Sequence, residues 1–502
     1  MSSVQSKLGN SDLEKRAFAE ATVLFGVGLV IFRWLIGQWH GVPDFDGHYH
    51  LRVVQWMAHV GFWTDIPWLP FTVLGEHGPD HHWLWHVMLL PFAWISDPEQ
   101  ALAWANAFNA ALALAVITLV MRQLGVPAAP LFALLAVSAG MLLPYRLLML
   151  RAQNVALIYI MLSVWAMARG RYKTLGALAF LFLESYHAAA ILVPLALIGS
   201  VARSLAERRI VATPMVAVAA GMALALVVSP WYPRNVEYLL FHILFKAARN
   251  PINGEELSAL LPQEWYPVPA PYLLLQAWPS HLMLAGAIAL LAWRRRCDPA
   301  FRAGVDTMIA GAAASLSLLL YFFAIRFAEY YVPLAALTAG LAARDAAPRG
   351  GYAWRHAALL CGWLFVAGSV GFSSLQRLPL LPEHYLAAIG ARLNELGEPG
   401  DVVFNSGWSD FMPLVWWAGG FRYVNGLDGH YLAYGDPARF VVWTAAGLGA
   451  LEDPATTVRL AFGARFAVVA RQHRVLAQQL MHSPHAALRT TSADGWLFEL
   501  KR

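Results

Sequence analysis

The chain has 502 residues, of which 59% are hydrophobic and only 13% charged, and its mean hydropathy is +0.50. A soluble domain carries about 25% charged residues, so the composition excludes an ordinary soluble enzyme and points to a polytopic α-helical membrane protein. The net charge of +5 falls in short arginine clusters between apolar runs, which is how cytoplasmic membrane loops look and argues against a nucleic-acid partner. Two cysteines, Cys297 in a basic loop and Cys361 in an apolar run, offer neither a disulfide nor a metal framework.

Residues 1–16 are polar, with Lys7, Lys15 and Arg16, and are expected to stay in the cytoplasm. The first apolar run, 17–37, has the length of a span and no small-residue cleavage site, so it reads as an anchor rather than a leader. A long external loop follows over 38–97, rich in Trp, His and Asp; its apolar stretch 83–95 is too short to cross and reads as an interfacial or re-entrant helix. Spans are then expected over 99–122, 127–145 and 155–168, with the short loop 146–154 carrying Arg151, Gln153 and Asn154.

The run 174–202 would measure roughly 42 Å as one helix, against a hydrocarbon core of about 30 Å. Basic residues flank it on both sides, Arg169 to Lys173 before and Arg203, Arg208 and Arg209 after, so it is split into two spans turning near Glu184–His187. Further spans are expected at 210–229, 280–293, 304–324, 331–343 and 356–374, with a second large external loop at 230–279 that holds Glu237, Glu255, Glu256 and Glu264. That makes about eleven spans, every arginine cluster inside and the C-terminus opposite the N-terminus. From residue 375 the composition changes. Short β-type runs at 401–404 and 464–470, and helical spacing over 385–396, predict a small α/β domain at 375–502 on the outer face, beside a transmembrane domain at 1–374.

The stretch Asp44-Phe45-Asp46-Gly47-His48-Tyr49-His50-Leu51-Arg52 places two acids, two histidines and an arginine at a membrane face, where such groups are costly without a purpose. Asp46 is the candidate catalytic carboxylate, activating an acceptor or holding a cation, with Asp44, His48 and Arg52 in support. The competing reading has Asp44 and Asp46 capping a helix that begins near Gly47. The same loop carries Asp65, Glu76, His77, Asp80, His81, His82 and His86. His82 and His86 share one helix face at metal-pair spacing, but histidines also collect at interfaces as amphipathic residues, which is the reading favoured for them.

Arg326, in Arg326-Phe327-Ala328-Glu329-Tyr330-Tyr331, matches a lipid phosphate by its bidentate guanidinium; its alternative is an ion pair with Glu329 on one helix face. Arg151 is a second phosphate candidate, with interfacial snorkelling as the alternative favoured for it. Trp408-Ser409-Asp410-Phe411, near Trp416-Trp417 and Asn425 to Gly429, gives an aromatic and acidic rim suited to a carbohydrate or peptide acceptor; taken alone, a packing turn explains it better.

In this order the pieces resemble the GT-C superfamily of polyprenyl-phosphate-sugar glycosyltransferases, and within it the oligosaccharyltransferase catalytic subunits. Asp46 to Arg52 is similar to that family's first-loop acidic motif, Arg326 to Pro333 to its Arg-Phe-x-x-Tyr-x-Val-Pro segment, and Trp408 to Phe411 loosely to its Trp-Trp-Asp-Tyr-Gly motif. The resemblance implies catalysis by Asp46, a donor-phosphate contact at Arg326, and acceptor contacts at Trp408 and Asp410. The family's second external loop supplies an acidic pair to a metal site, whereas 146–154 here holds no acid. A divalent cation (Mg²⁺ or Mn²⁺), held by Asp46 with His81 or His82, and metal-independent action therefore stand as equal alternatives.

The function implied is transfer of a sugar or oligosaccharide from a polyprenyl-phosphate or pyrophosphate carrier to a protein or glycan acceptor at the outer face, in a bacterial inner membrane with the active site periplasmic. A transporter or flippase of lipid-linked glycans is the alternative; it would need charges within the spans, paired across helices. A polysaccharide polymerase or ligase shares the donor and differs in the acceptor.

Overall fold

The computed structural model describes residues 2–62, 65–75, 78–140, 143–247, 268–346, 354–376 and 380–501. Helices dominate, beginning with α1 (Ser2–Ile36), α2 (Asp46–Val60), α3 (Trp83–Ala93), α4 (Pro98–Gln123), α5 (Ala129–Ser138), α6 (Leu143–Leu147), α7 (Ala152–Ala168), α8 (Tyr172–Ser185), α9 (Leu192–Glu207) and α10 (Thr213–Val228). The chain divides into two compact units: 1–38, 103–228 and 264–379 form one, while 39–102, 229–263 and 380–502 form the other.

The first unit is helical. Its apolar helices display Phe18, Val23, Val30 and Trp34 to their surroundings, and such surfaces are compatible with lipid rather than water. The protein is thus an integral membrane protein. Each expected span corresponds to a helix, but the count of eleven does not follow. By length and composition four helices among the described residues are able to cross, Glu14–Ile36, Pro98–Gln123, His187–Glu207 and Val305–Phe323; a fifth results if Ala270–Gln276 and Trp278–Cys297, bent by 81°, are one broken span. Apolar helices such as α5, α7 and α10 are too short to meet that measure.

The long run 174–202 does break where its length requires. Helix α8 ends at Ser185, Tyr186 is extended, and a 3₁₀ turn at His187–Ile191 leads into α9. Gly176 and Gly221 let α8 and α10 touch backbone to backbone, since a Cβ at Gly221 would strike the Gly176 carbonyl; small residues do this work between membrane helices. The helix Ala328–Ala346 is buried along most of its length behind Ala335, Ala336 and Gly340. At its end Arg344 bonds Asp306 at 2.5 Å and Asp345 at 2.6 Å.

The second unit contains a five-stranded sheet: β1 (Val402–Asn405), β2 (Arg422–Tyr423), β3 (Phe466–Ala470), β4 (Ala486–Thr491) and β5 (Gly495–Leu500), in the order β2-β1-β3-β5-β4. Strands β2, β1 and β3 are parallel, whereas β5 runs antiparallel to both β3 and β4. The apolar runs Val402–Phe404 in β1 and Phe466–Ala470 in β3 are what a parallel strand covered on both faces requires. The expected strands at 401–404 and 464–470 fall on β1 and β3, and the expected helix at 385–396 is found at Ala387–Leu396.

The first long loop is built into this same unit. Val42 and Leu381 exchange two backbone hydrogen bonds of 2.9 Å; Tyr423 N–H donates to the Trp68 carbonyl at 2.7 Å, and Val73 N–H to that of Tyr431 at 3.1 Å. Trp68 is 2% exposed, and its indole N–H donates to the Gly419 carbonyl at 2.8 Å. The loop that carries Asp46 is consequently a folded layer.

Candidate active site

Asp46 is the first residue of α2, half-buried, behind an N-cap at Phe45 that makes no side-chain capping bond. The N-cap position therefore falls on Phe45, between the two acids to which the capping reading assigns that role. One turn on, the motif turns inward. His48 is 3% exposed and stands edge-on to Trp416 at 4.9 Å between ring centres. Tyr49 packs on Phe411 at 5.8 Å. Arg52 donates to Gln55 Oε1 at 3.2 Å and lies over Gly419, where any Cβ would collide with its guanidinium. His48 and Arg52 therefore fix α2 to the segment 411–419, and Asp46 stands in the first turn of that helix.

His50 faces the other way. Its Nδ1 lies 2.9 Å from His86 Nε2, and His86 Nδ1 lies 2.7 Å from Asp80 Oδ2. His82, at the N-cap of α3, completes a buried group in which one ring nitrogen from each of His50, His82 and His86 lies within 4.8 Å of the other two. The structure thus encloses His82 and His86 instead of leaving them at an interface. His81 hydrogen-bonds through Nε2 with the Tyr238 hydroxyl at 3.2 Å; Tyr238 donates to Tyr431 at 2.8 Å, and Tyr431 meets His242 Nε2 at 3.3 Å. Sequence reasoning missed His50, Tyr238, His242 and Tyr431 as one polar layer. The only signal for it was the i, i+4 step from Asp46 to His50. Of the later-loop acids, Glu237 is exposed, and Glu255, Glu256 and Glu264 lie outside the described residues, as do Glu76 and His77.

Trp408 and Asp410 separate in the structure. They share the 3₁₀ turn Trp408–Asp410 after β1. Trp408 lines a cavity of about 430 Å³ with Ser406, Ser409, Trp443, His473 and Arg474. Asp410 lies behind it, buried, accepting from Gly407 N–H at 2.9 Å and from the Tyr385 hydroxyl at 3.2 Å. An acceptor in the cavity has Trp408 within reach, whereas Asp410 shapes the turn from inside.

Burial pushes the Asp410 carboxyl up to about 6, against the opposing pull of His473, Tyr385 and the Gly407 N–H, and pushes His48 down to about 4. The signs oppose. The raised carboxyl stabilises the fold below its ordinary pKa of 3.8 and loses that contribution as pH rises through about 6. The depressed imidazole stabilises the fold above its ordinary 6.5 and loses the contribution as pH falls through about 4. Each is worth roughly 3 kcal/mol at most. Thermal unfolding between pH 4 and 6.5 should therefore be nearly flat for these two groups together. Asp410→Asn should unmask a loss of stability on acidification, and His48→Gln a loss on raising the pH. Identical pH profiles in both variants would contradict the assignment.

In the helical unit, Arg326 stands half-buried on the 3₁₀ turn Ile325–Phe327 that leads into Ala328–Ala346, and its Nη2 donates to the Tyr186 hydroxyl at 2.7 Å. Tyr186 is the extended residue at the α8–α9 break. Glu329 is buried and bonded by Arg146 of α6. Arg151 is half-buried at the N-cap of α7. Arg326 is thus oriented by a tyrosine, a partner not foreseen from the sequence, as is Arg146 for Glu329.

No protein-family model matches the chain, and none of the curated proteins does. Solved structures do. An archaeal oligosaccharyltransferase, AglB from Archaeoglobus fulgidus, in complex with an inhibitory peptide and dolichol-phosphate, aligns over 99% of this chain and 75% of its own at 12% identity and a TM-score of 0.63. ArnT from Cupriavidus metallidurans bound to undecaprenyl phosphate aligns over 95% and 97% at 15% identity and 0.58. The arabinofuranosyltransferase AftD from Mycobacteria aligns over 96% and 40% at 12% identity and 0.55. The fold is that of the GT-C glycosyltransferases.

The divalent cation that stands as one of two equal alternatives is weighed against the donors present. Mg²⁺ and Mn²⁺ take oxygen ligands. Among the described residues Asp46 belongs to no group of three close ligand atoms, and His82 is grouped with imidazoles. Of the residues weighed for that cation, only Asp46 offers the oxygen that these ions prefer.

Proposed function

We propose that the protein is a GT-C glycosyltransferase that moves a sugar or oligosaccharide from a polyprenyl-phosphate or pyrophosphate carrier to a protein or glycan acceptor at the outer face of the membrane, the periplasmic face in a bacterium. The observation that carries this reading is the position of Asp46. It is the lone acid in the first turn of α2, a helix held by His48, Tyr49 and Arg52 against the segment 411–419. Within this reading Asp46 acts as general base on the acceptor. Arg326, held by Tyr186, binds the donor phosphate and stabilises the charge that collects there as the carrier departs, with Arg151 in support. Trp408 and its cavity receive part of the acceptor.

The resemblance to structures solved with dolichol-phosphate and undecaprenyl phosphate supports a lipid-phosphate donor. The transporter reading gains one observation, the buried Arg146–Glu329 pair inside the helical unit; the enzyme reading is preferred because it also accounts for Asp46 and the cavity at Trp408. The test uses the purified protein in nanodiscs with a panel of polyprenyl-phosphate sugars and candidate acceptors, with and without EDTA, following free lipid phosphate. Release that needs an acceptor and persists in EDTA is expected. Donor binding with no donor consumed would put the transporter reading first.

A further inference from the structure

We propose that His50, His82 and His86 bind a zinc-class transition-metal ion, with Asp80 as the outer carboxylate that orients His86. This site lies beyond the transferase reading and does not depend on it. Three features converge. One ring nitrogen from each of the three histidines lies within 4.8 Å of the other two, which brings them into range of a single ion. All three side chains are enclosed, at 6%, 8% and 0% exposure, with Trp85 against His50 at 4.5 Å between ring centres. The third feature is Asp80. Its Oδ2 accepts a hydrogen bond from His86 Nδ1–H at 2.7 Å, and its Oδ1 accepts from the His82 backbone N–H at 3.0 Å. That carboxylate fixes the tautomer in which the His86 Nε2 lone pair faces the cluster, as the outer partner of a metal-bound histidine does.

Nitrogens bound to one tetrahedral ion at ~2.0–2.1 Å stand about 3.3 Å apart. His86 Nε2 and His50 Nδ1 are 2.9 Å apart, so an ion needs these rings to part by only a few tenths of an ångström. The donors are imidazoles, which suit zinc and its neighbours and are poor ligands for Mg²⁺ or Mn²⁺. Three protein nitrogens also leave one position of a tetrahedral ion for water or another oxygen. The ion would tie α2 to α3.

The experiment uses tag-free full-length protein in nanodiscs. Metal content is measured by elemental mass spectrometry; the protein is then stripped with a chelator and titrated with Zn²⁺, and with Co²⁺ read by its visible d–d bands. One ion per chain is expected, with Mg²⁺ and Mn²⁺ in excess failing to displace it. His82, the most accessible of the three, is the safest to remove: His82→Ala should lose stoichiometric binding, and Asp80→Asn should weaken it by roughly 10–100-fold. Asp46→Asn should keep the metal while losing transfer, which separates failure of this site from failure of the transferase reading. Substoichiometric uptake by the wild-type protein, unchanged affinity in His82→Ala, or displacement by Mg²⁺ would overturn the assignment.

Discussion

Asp46→Asn is expected to reduce release of free lipid phosphate by about 10²–10⁴-fold, the range over which a positioned general base contributes. Asparagine keeps the size and the polarity of the side chain and removes only its charge and its ability to accept a proton. The fold should survive the change. His48, Tyr49 and Arg52 anchor α2 to the segment 411–419 through contacts of their own, and the position of Asp46 is half-buried. Lost favourable interaction with the helix dipole should cost no more than ~1 kcal/mol. The prediction is therefore a split: an unfolding midpoint close to wild type beside a collapse in turnover. A matched Asp44→Asn variant sharpens it, because Asp44 stands before the N-cap and outside the helix; its turnover should fall far less. Normal turnover in Asp46→Asn would remove the carboxylate from the mechanism.

Much of this was legible in the residues. Composition and arginine clustering identify a membrane protein, because lipid and water sort side chains by polarity regardless of tertiary detail. The break at Tyr186 was legible because a helix of 29 residues exceeds a bilayer. Strand β3 was readable as an unbroken apolar run and β1 as an apolar run closed by Asn405, whereas β2, of two residues, and β4, which exposes Leu488 and Arg489, carry no comparable pattern. The count of spans was not legible. Short apolar helices such as α5 and α7 look alike in sequence whether they cross a bilayer or pack inside a bundle.

The site divides in the same way. Asp46 and Arg326 stand out because a charge beside apolar runs needs a reason. The partners that orient them are ordinary residues far away in sequence: Tyr186 for Arg326, 140 residues off, and Trp416 for His48. The histidine cluster was half visible, since the i, i+4 step gives His82 and His86 one face but nothing local brings His50, 36 residues before His86, onto it. Only packing of α2 on α3 does that.

The buried ion pair Arg146–Glu329 should give the largest change in stability. Both side chains are almost fully enclosed, at 6% and 4% exposure, so removing one partner leaves the other charged and unsolvated. Glu329→Ala is expected to destabilise the protein by about 3–5 kcal/mol, read as a lowered unfolding midpoint in nanodiscs. Arg146→Ala should do the same, and the two losses should not add, because the second deletion removes the charge that the first left stranded. An apolar pair of similar volume, Arg146→Met with Glu329→Leu, should recover most of the stability, since attraction within a buried pair roughly offsets its own desolvation. That double variant also bears on function. Glu329 is three residues after Arg326, at the start of the same helix, and Arg326 keeps Tyr186 whatever stands at 329. A restored fold with transfer intact would make the pair a structural anchor. A glycan path that ran along this pair would instead be lost in the double variant, so a restored fold with donor handling abolished would favour the transporter reading over the transferase.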